Sequence, residues 1–268
     1  MAQVTIRAEP LTRSDLKKAS LHNSRALDEL HVDVTRTMFN QCLIGTGDIE
    51  ADVEKILSKY DKPQSKVVCC EVVATASADY FDSISPNWRM GPDFFSDQLH
   101  QWIKLNKESF INKYTLGRIA SMNLHLDEQA PHFHIFIVPV SKYEISTGRG
   151  AKTKKMVTRV MYSKLFGDTQ QVIKQARQAG NSELTKLGRM QTWYAEAMKP
   201  LGMERGIKNS HATHDEIKDY RKRLKVTGNM PETLQDALPK VMEYDRIKTE
   251  NNRLKGELID KDKIIKDL

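Results

Sequence analysis

Residues 125–134 read His-Leu-Asp-Glu-Gln-Ala-Pro-His-Phe-His and contain three of the chain's eight histidines. Two carboxylates, Asp127 and Glu128, follow the first histidine. Neutral imidazoles are good ligands for Zn, Mn, Fe, Co and Ni, whereas so many polar groups are costly in a plain apolar core. The stretch therefore predicts a site for a divalent metal ion.

Two strand-like runs flank this stretch. Residues 118–126 alternate between apolar and polar side chains, and in the run 132–140 Phe133, Ile135 and Ile137 lie opposite His132 and His134, which is typical of a half-buried strand. The polar segment 127–131 between them contains a proline and predicts a turn. We therefore expect an antiparallel hairpin.

The hairpin decides where the histidines lie. If it pairs His125 with His132, their Cβ atoms are roughly 5 Å apart, and His134 is the diagonal neighbour on the same face. Three imidazoles on one face, with other coordination positions open, favour a catalytic over a structural metal site. The alternative for His132 and His134 is an ordinary polar outer face of a strand.

Other elements can be placed around the hairpin. We expect strands over 3–9 and 66–75, and helices from Ser14 to Leu30, up to Tyr60, over 92–114 and over 169–199. No βαβ unit repeats, and strands joined by a short turn lie antiparallel. The expected fold class is α+β, with an antiparallel sheet flanked by helices.

The whole chain has 268 residues, a formal net charge of +7 and a pI of about 9.1. This charge favours a polyanionic partner. Three cysteines form no disulfide framework, which predicts reduced thiols and a cytoplasmic location. The N-terminus has no signal-peptide pattern and no run of 18 apolar residues occurs, so we expect no membrane span.

A basic run follows the hairpin. Between Ile145 and Gly167 the chain has six basic residues and no acidic one. Such a run is often only a solvated loop, but beside a metal site in a basic protein it favours contacts to phosphates. The predicted DNA-binding residues are Arg149, Lys152, Lys154, Lys155, Arg159 and Lys164.

The C-terminal part has a different pattern. Residues 240–268 carry apolar residues at alternating spacings of three and four, with Asn251 at an a position, which predicts a coiled coil and a homodimer. The alternative is one amphipathic helix folding back on the domain. The pattern continues to the last residue, which predicts a chain cut from a longer protein. Residues 226–239 form the expected linker after a domain over 1–225.

The hairpin motif, His-x-Asp-Glu-x-x-Pro-His-x-His, resembles the third motif of the MobV (Mob/Pre) family of plasmid mobilisation relaxases. These belong to the HUH endonucleases, named for a His-hydrophobe-His like His132-Phe133-His134. The segment His22-Asn23-Ser24-Arg25 is similar to the family's first motif, and residues 205–220 are similar to the end of its catalytic domain. The resemblance covers roughly residues 1–225.

The resemblance implies an HUH relaxase-like fold and a specific activity. Such relaxases nick one strand of single-stranded or hairpin origin-of-transfer DNA, keep the 5′ phosphate covalently and release a 3′ hydroxyl. It implies His22 as the nucleophile, Glu128 as the motif glutamate, and one divalent ion, Mn or Mg, on His125, His132 and His134.

Chemistry supplies further expectations. Arg25 lies three residues after His22, on the same face of the expected helix, and could clamp a phosphate. Glu128 could hold the second N–H of the His22 ring, as the carboxylate does in a catalytic triad. Asp127 is expected to hydrogen-bond a metal-bound imidazole from outside.

Other readings stay open. Tyr60, Tyr114 or Tyr162 could replace His22 as nucleophile, as in a rolling-circle replication initiator that shares the HUH hairpin. A non-catalytic DNA-binding protein with a structural metal would use the same basic run. A zinc hydrolase of small molecules explains the three histidines but neither the basic run nor His-Asn-x-Arg.

Overall fold

The computed structural model describes residues 2–26, 32–60, 65–147 and 153–206. The strands are β1 (Ala2–Thr12), β2 (Gln41–Ile44), β3 (Val67–Ala76), β4 (Ile119–His125), β5 (His132–Ile137), β6 (Val140–Thr147), β7 (Thr153–Val160) and β8 (Met203–Arg205). The helices are α1 (Arg13–Asn23), α2 (Ile49–Leu57), α3 (Ala78–Ile84), α4 (Asp97–Tyr114), α5 (Tyr162–Leu165), α6 (Gln170–Gln178) and α7 (Lys186–Met198). Short 3₁₀ turns span Val34–Phe39, Trp88–Met90, Pro92–Phe94, Leu116–Arg118, Ser182–Leu184 and Lys199–Leu201.

The main sheet has the strand order β2-β4-β5-β3-β1-β8. Its neighbours pair antiparallel except at one edge, where β8 runs parallel to β1. The predicted α+β fold with an antiparallel sheet and flanking helices is therefore confirmed, with a parallel edge strand added. The predicted hairpin is also confirmed, because β4 pairs with β5 and His125 lies opposite His132.

The two faces of the sheet have different roles. One, which we call the aromatic face, packs its apolar side chains against Trp102, Phe110 and Tyr194 of α4 and α7. The other, which we call the site face, carries the histidines at one end and an apolar cluster with α1 and α2 at the other. Since both faces are covered, every residue of β4 is buried, and the expected half-buried strand is wrong.

The first helix differs from its expected form. Thr12, not Ser14, is its N-cap, and the Thr12 backbone N–H donates to Asp15 over 3.0 Å. The helix ends at Asn23, and Arg25 adopts a left-handed backbone with φ of 54°. Arg25 is therefore not on a helical face shared with His22, and the predicted end at Leu30 lies outside the described residues.

The helix predicted over 92–114 is in two pieces. A short 3₁₀ turn leads into α4, whose N-cap Ser96 accepts a hydrogen bond from the Leu99 N–H over 3.2 Å. The capped start lets Trp102 and Phe110 point into the core, whereas Phe94 stays exposed. The aromatic residues of this segment are therefore mainly core.

Part of the basic run lies in two paired strands. β6 and β7 pair antiparallel as a separate two-stranded sheet, which we call the ribbon. Of the predicted DNA-binding residues, Arg149 and Lys152 lie outside the described residues, as do the linker 226–239 and the coiled coil 240–268. Within the described ranges, no helix has the length and apolar character needed to cross a membrane.

Candidate active site

The three predicted ligands meet at the end of the β4–β5 hairpin. The ring centroids are 4.6 Å apart for His125 and His134, 5.2 Å for His125 and His132, and 5.0 Å for His132 and His134. Because residues two apart on a strand share a face, all three imidazoles lie on the site face. The structure therefore brings the three rings side by side.

His22 joins this cluster from the end of α1. Its ring centroid lies 5.0 Å from that of His134 and 5.4 Å from that of His125. Two triples have ligand atoms within 4.8 Å of one another: His22, His125 and His134 form one, and His125, Glu128 and His132 form the other. The geometry places His22 where it can ligate an ion or attack a group that the ion holds.

Hydrogen bonds select the tautomers of two rings. The Nδ1 atom of His132 lies 2.9 Å from the Ala130 carbonyl, and Nδ1 of His134 lies 2.5 Å from Glu71 Oε1. A carbonyl or carboxylate acceptor requires a proton on Nδ1, which leaves the Nε2 lone pair for a metal. This is the arrangement of ligating histidines held by an outer acceptor.

His125 completes the fit to a metal ion. Its Nε2 is buried and has no hydrogen-bond partner in the described protein, an arrangement that metal ligation would explain. Its Nδ1 lies 3.0 Å from Arg25 Nη2 and 3.7 Å from Glu128 Oε1. In the 3.0 Å contact the guanidinium donates and Nδ1 accepts, because arginine has no acceptor, so an ion at Nε2 would take the place of that atom's proton. The residues therefore fit a divalent cation.

Burial favours the neutral form of two of these imidazoles. Desolvation, then the neighbouring His134, lowers the pKa of His125 well below its usual value, and burial lowers the pKa of His132 to about 4. Burial alone would raise the pKa of Glu71, but the hydrogen bond from His134 holds it below its usual value. Neutral rings beside an ionised Glu71 suit a divalent cation.

Arg25 is held inside the site. Its side chain is 7% exposed and donates to Asp127 over 2.6 and 2.9 Å and to Glu128 over 2.8 Å. Its Nη1 also lies 3.5 Å from His22 Nδ1. Burial acts to lower the pKa of Arg25, but these carboxylates raise it overall. The guanidinium therefore joins the first motif to the hairpin turn.

Asp127 differs from its expected role. Its carboxylate accepts from Arg25, from Thr37 Oγ1 over 2.9 Å and from Asn40 Nδ2 over 2.7 Å, and not from an imidazole. The predicted outer hydrogen bond to a candidate ligand, His134, is made by Glu71 instead. Asp127 fixes Arg25 and the turn, rather than a ligand ring.

The segment before β2 holds the same turn by its backbone. Arg36 donates to the Leu126 carbonyl over 2.8 Å and to the Glu128 carbonyl over 3.2 Å. Asn40 accepts from the Leu126 N–H over 2.7 Å. These polar groups satisfy buried backbone atoms of the turn, so its shape depends on residues far away in the sequence.

Sequence reasoning missed Glu71. It stands inside the apolar run Val-Val-Cys-Cys-Glu-Val-Val of β3, where an isolated buried carboxylate is unfavourable. β3 is the direct neighbour of β5, and Glu71 is two residues before Val73, the partner of His134. A lone acid in a central strand beside an HUH strand was therefore the available signal.

Asp127→Asn is expected to lower the free energy of unfolding by roughly 3–5 kcal/mol, because it removes one charge of a buried pair. The matched control is Glu54→Gln, which breaks the exposed pair with Arg13 and is expected to cost under about 1 kcal/mol. Urea denaturation without metal compares the two variants. Equal losses would mean that the Arg25–Asp127 network does not hold the site together.

The tyrosines considered as nucleophiles lie elsewhere. Tyr114 packs against Phe110 and Phe166 on the aromatic face. Tyr162 begins α5, just after the end of β7. Tyr60 packs at the edge of the apolar cluster on the site face, after the C-terminal end of α2. The structure brings none of these three tyrosines to the histidine cluster.

The predicted basic residues that the structure describes are split between ribbon and α5. Lys155 and Arg159 share one face of the ribbon with Tyr143, whereas Lys154 is on the other and pairs with Glu144 over 3.4 Å. Lys164 of α5 lies 5.6 Å from the Tyr143 ring. The ribbon begins after the C-terminal end of β5, whereas His132 and His134 lie at the N-terminal end of that strand.

The chain is similar to known proteins in sequence and in fold. Residues 1–222 match the family model Mob_Pre, described as plasmid recombination enzyme. The chain is 28% identical over 228 residues to a 65 kDa protein of Zymomonas mobilis, covering 85% of this chain and 34% of that protein. It is 23% identical over 150 residues to a plasmid recombination enzyme of a Bacillus species, covering 52% and 34%. The chain thus spans about a third of the length of these relatives.

The fold is similar to that of solved relaxase domains. A MobM relaxase domain, bound to origin-of-transfer DNA of plasmid pMV158 in a Mn-bound crystal structure at pH 5.5, matches with a TM-score of 0.58 and 18% identity. The match covers 82% of this chain and 99% of that one. A second Mn-bound complex of that domain, with a thiophosphate on its DNA, has a TM-score of 0.58, 19% identity and coverage of 83% and 99%. At this level of sequence identity, the structural similarity shows the fold alone.

Proposed function

The chain belongs to the Mob_Pre family of plasmid recombination enzymes, and from this premise we propose that it is a plasmid mobilisation relaxase. It would nick one strand of origin-of-transfer DNA, keep the 5′ phosphate and later rejoin or transfer the strand. The observation that carries the proposal is His22, which comes from a remote helix to within 5.0 Å, ring to ring, of the hairpin histidine His134. A fourth imidazole on the ion would close its coordination shell as in a structural site, so the proposal assigns His22 to attack on the phosphate and not to ligation.

His125, His132 and His134 would hold one divalent ion, Mn²⁺ or Mg²⁺. The buried Nε2 of His125 without a partner supports this set, as does the Mn in the related domains. The ion would polarise a non-bridging oxygen of the scissile phosphate and offset its negative charge. Glu71 would orient His134, and Ala130 would orient His132, through the hydrogen bonds described above.

His22 would be the nucleophile. A lone pair of its neutral ring would form a P–N bond as the P–O3′ bond breaks, and the 3′ oxygen would leave and take up a proton as the 3′ hydroxyl. The ring would then carry positive charge, which the carboxylate of Glu128 offsets within the site. Arg25, 3.5 Å from His22 Nδ1, would set the orientation of the ring.

The DNA would extend beyond the histidine cluster. Lys155, Arg159 and Lys164 would contact phosphates of single-stranded or hairpin DNA, together with Lys154 and, outside the described residues, Arg149 and Lys152. The relaxase domain over 1–225, the linker over 226–239 and a homodimer through the coiled coil over 240–268 stay predictions. So does the cytoplasmic location.

Nicking of supercoiled plasmid tests the function. With Mn²⁺, the purified chain is expected to convert a plasmid carrying its own origin to the open circle, and to leave a peptide containing His22 on the 5′ end of the cut strand. Mass analysis of that peptide identifies the nucleophile. DNA binding without any nicking would instead favour the non-catalytic DNA-binding protein, and a tyrosine-linked peptide would favour a rolling-circle initiator.

A further inference from the structure

A cleft lies on the aromatic face, away from the histidines. It has a volume of about 740 Å³ and lies between the end of α4, the segment from α5 to Asp168, and the start of α7. Arg118, on its wall, directly precedes β4, whereas His125 ends β4, so ~23 Å of extended strand separates them. The cleft is therefore separate from the proposed active site.

The charge of this cleft is strongly positive. Its walls contain five basic residues and one acid: Lys113, Arg118, Lys164, Lys186, Arg189 and Asp168. Asp168 is already paired with Lys186, whose ammonium also donates to the carbonyls of Ser163 and Gly167. Among the described residues, Lys113 and Arg118 have no acidic partner within ion-pair distance. An anion is the complementary ligand.

Aromatic rings form part of the same wall. Tyr114 stacks on Phe166 with ring centroids 5.5 Å apart, and Phe166 stacks on Tyr162 at 5.9 Å, with interplanar angles of 27° and 28°. Tyr162 is the half-buried end of this column, and burial raises the pKa of its phenol to about 12, so the group stays uncharged. Proteins bind unpaired nucleotides by stacking the bases on aromatic rings while nearby cations neutralise the phosphates.

The cleft also continues into the ribbon. Lys164 lines the cleft and lies 5.6 Å from the Tyr143 ring, on the ribbon face that carries Lys155 and Arg159. By the ribbon register, this face carries no acidic residue between Ser141 and Ile145 or between Lys155 and Arg159, so a DNA strand lying on it would meet positive charge. We propose that the cleft binds an unpaired nucleotide of the DNA, with its base at Tyr162 and its phosphates near Lys113 and Arg118.

This inference rests on the proposed DNA substrate, and its test measures binding without metal, so that it does not depend on nicking. A fluorescein-labelled single-stranded 30-mer is titrated by anisotropy at several salt concentrations. Lys113→Gln/Arg118→Gln is expected to weaken binding about 10-fold and to reduce the salt slope by about 1.4, at about 0.7 for each lost phosphate contact on a single strand.

The control removes the same charge from another surface. Lys55→Gln/Lys59→Gln changes two exposed lysines at the end of α2, which packs on the site face, and is expected to leave affinity and slope unchanged. A cleft variant that melts with the wild type but binds DNA like this control would overturn the proposal.

A crosslink locates the base. A 30-mer containing 5-bromodeoxyuridine is expected to crosslink to the peptide containing Tyr162, and Tyr162→Ala should remove that crosslink while Tyr162→Phe keeps it. Titration with free ATP and dAMP tests whether the cleft instead binds a free nucleotide. Tight binding of a free nucleotide, with unchanged DNA affinity in the cleft variant, would make this an effector site and contradict the DNA assignment.

Discussion

His22→Phe is expected to abolish the covalent protein–DNA adduct and to leave Mn²⁺ binding intact. Phenylalanine keeps the size of the ring beside His134 but has no nitrogen to attack phosphorus. Loss of a nucleophile commonly lowers turnover by more than about 10³-fold, so adduct formation should fall below detection. The adduct is measured with labelled origin DNA on a denaturing gel, and Mn²⁺ affinity by calorimetry.

Measuring the metal separately decides between two roles of His22. His22, His125 and His134 have ligand atoms within 4.8 Å of one another, so His22 is also placed to ligate. If His22→Phe loses Mn²⁺ affinity together with the adduct, His22 is a ligand and the histidine mechanism fails. His100→Phe, which changes an exposed histidine on α4, is the matched control and should keep both properties.

His132→Ala/His134→Ala is expected to remove stabilisation by Mn²⁺ completely. A ligand that binds only the folded chain stabilises it by about 2.7 kcal/mol at 100 times its Kd. The wild type should therefore melt at a higher temperature with Mn²⁺ than with EDTA, whereas the double variant should melt at the same temperature in both. Nicking should be lost with the metal, because only His125 of the three hairpin ligands remains.

Glu71→Gln provides an intermediate case. The amide still reaches His134 Nδ1 but no longer presents a negative charge, so Mn²⁺ should bind about 10–100-fold more weakly and not be lost.

Mn²⁺ stabilisation that survives in the double histidine variant would show that the ion binds elsewhere. It would also remove the basis for a metal-assisted nick at this hairpin.

The hairpin could be predicted because its signals are local. Alternation with a period of two assigns His132 and His134 to one face, and a short polar turn leaves almost no choice in pairing His125 with His132. The family motif then supplied His22, which local pattern alone could not connect to the hairpin.

The helix boundaries were predicted less well, because their signals compete. Thr12 and Ser14 are both good N-caps, and the Thr12–Asp15 bond selects the first. Arg25 has a left-handed backbone after the end of α1, and its guanidinium donates to the carboxylates of Asp127 and Glu128, 102 and 103 residues away. The hydrophobic pattern of residues 13–30 cannot reveal these distant partners of Arg25.

The sequence by itself determined the fold class and the histidine hairpin, because alternation and turn chemistry act between neighbouring residues. Tertiary structure alone decided that Asp127 holds Arg25, that Glu71 holds His134, and that His22 lies against the cluster. The physical reason is burial on both faces of the sheet. A charge there must find its partner across the fold, and the choice among partners depends on which strands and helices the core brings together.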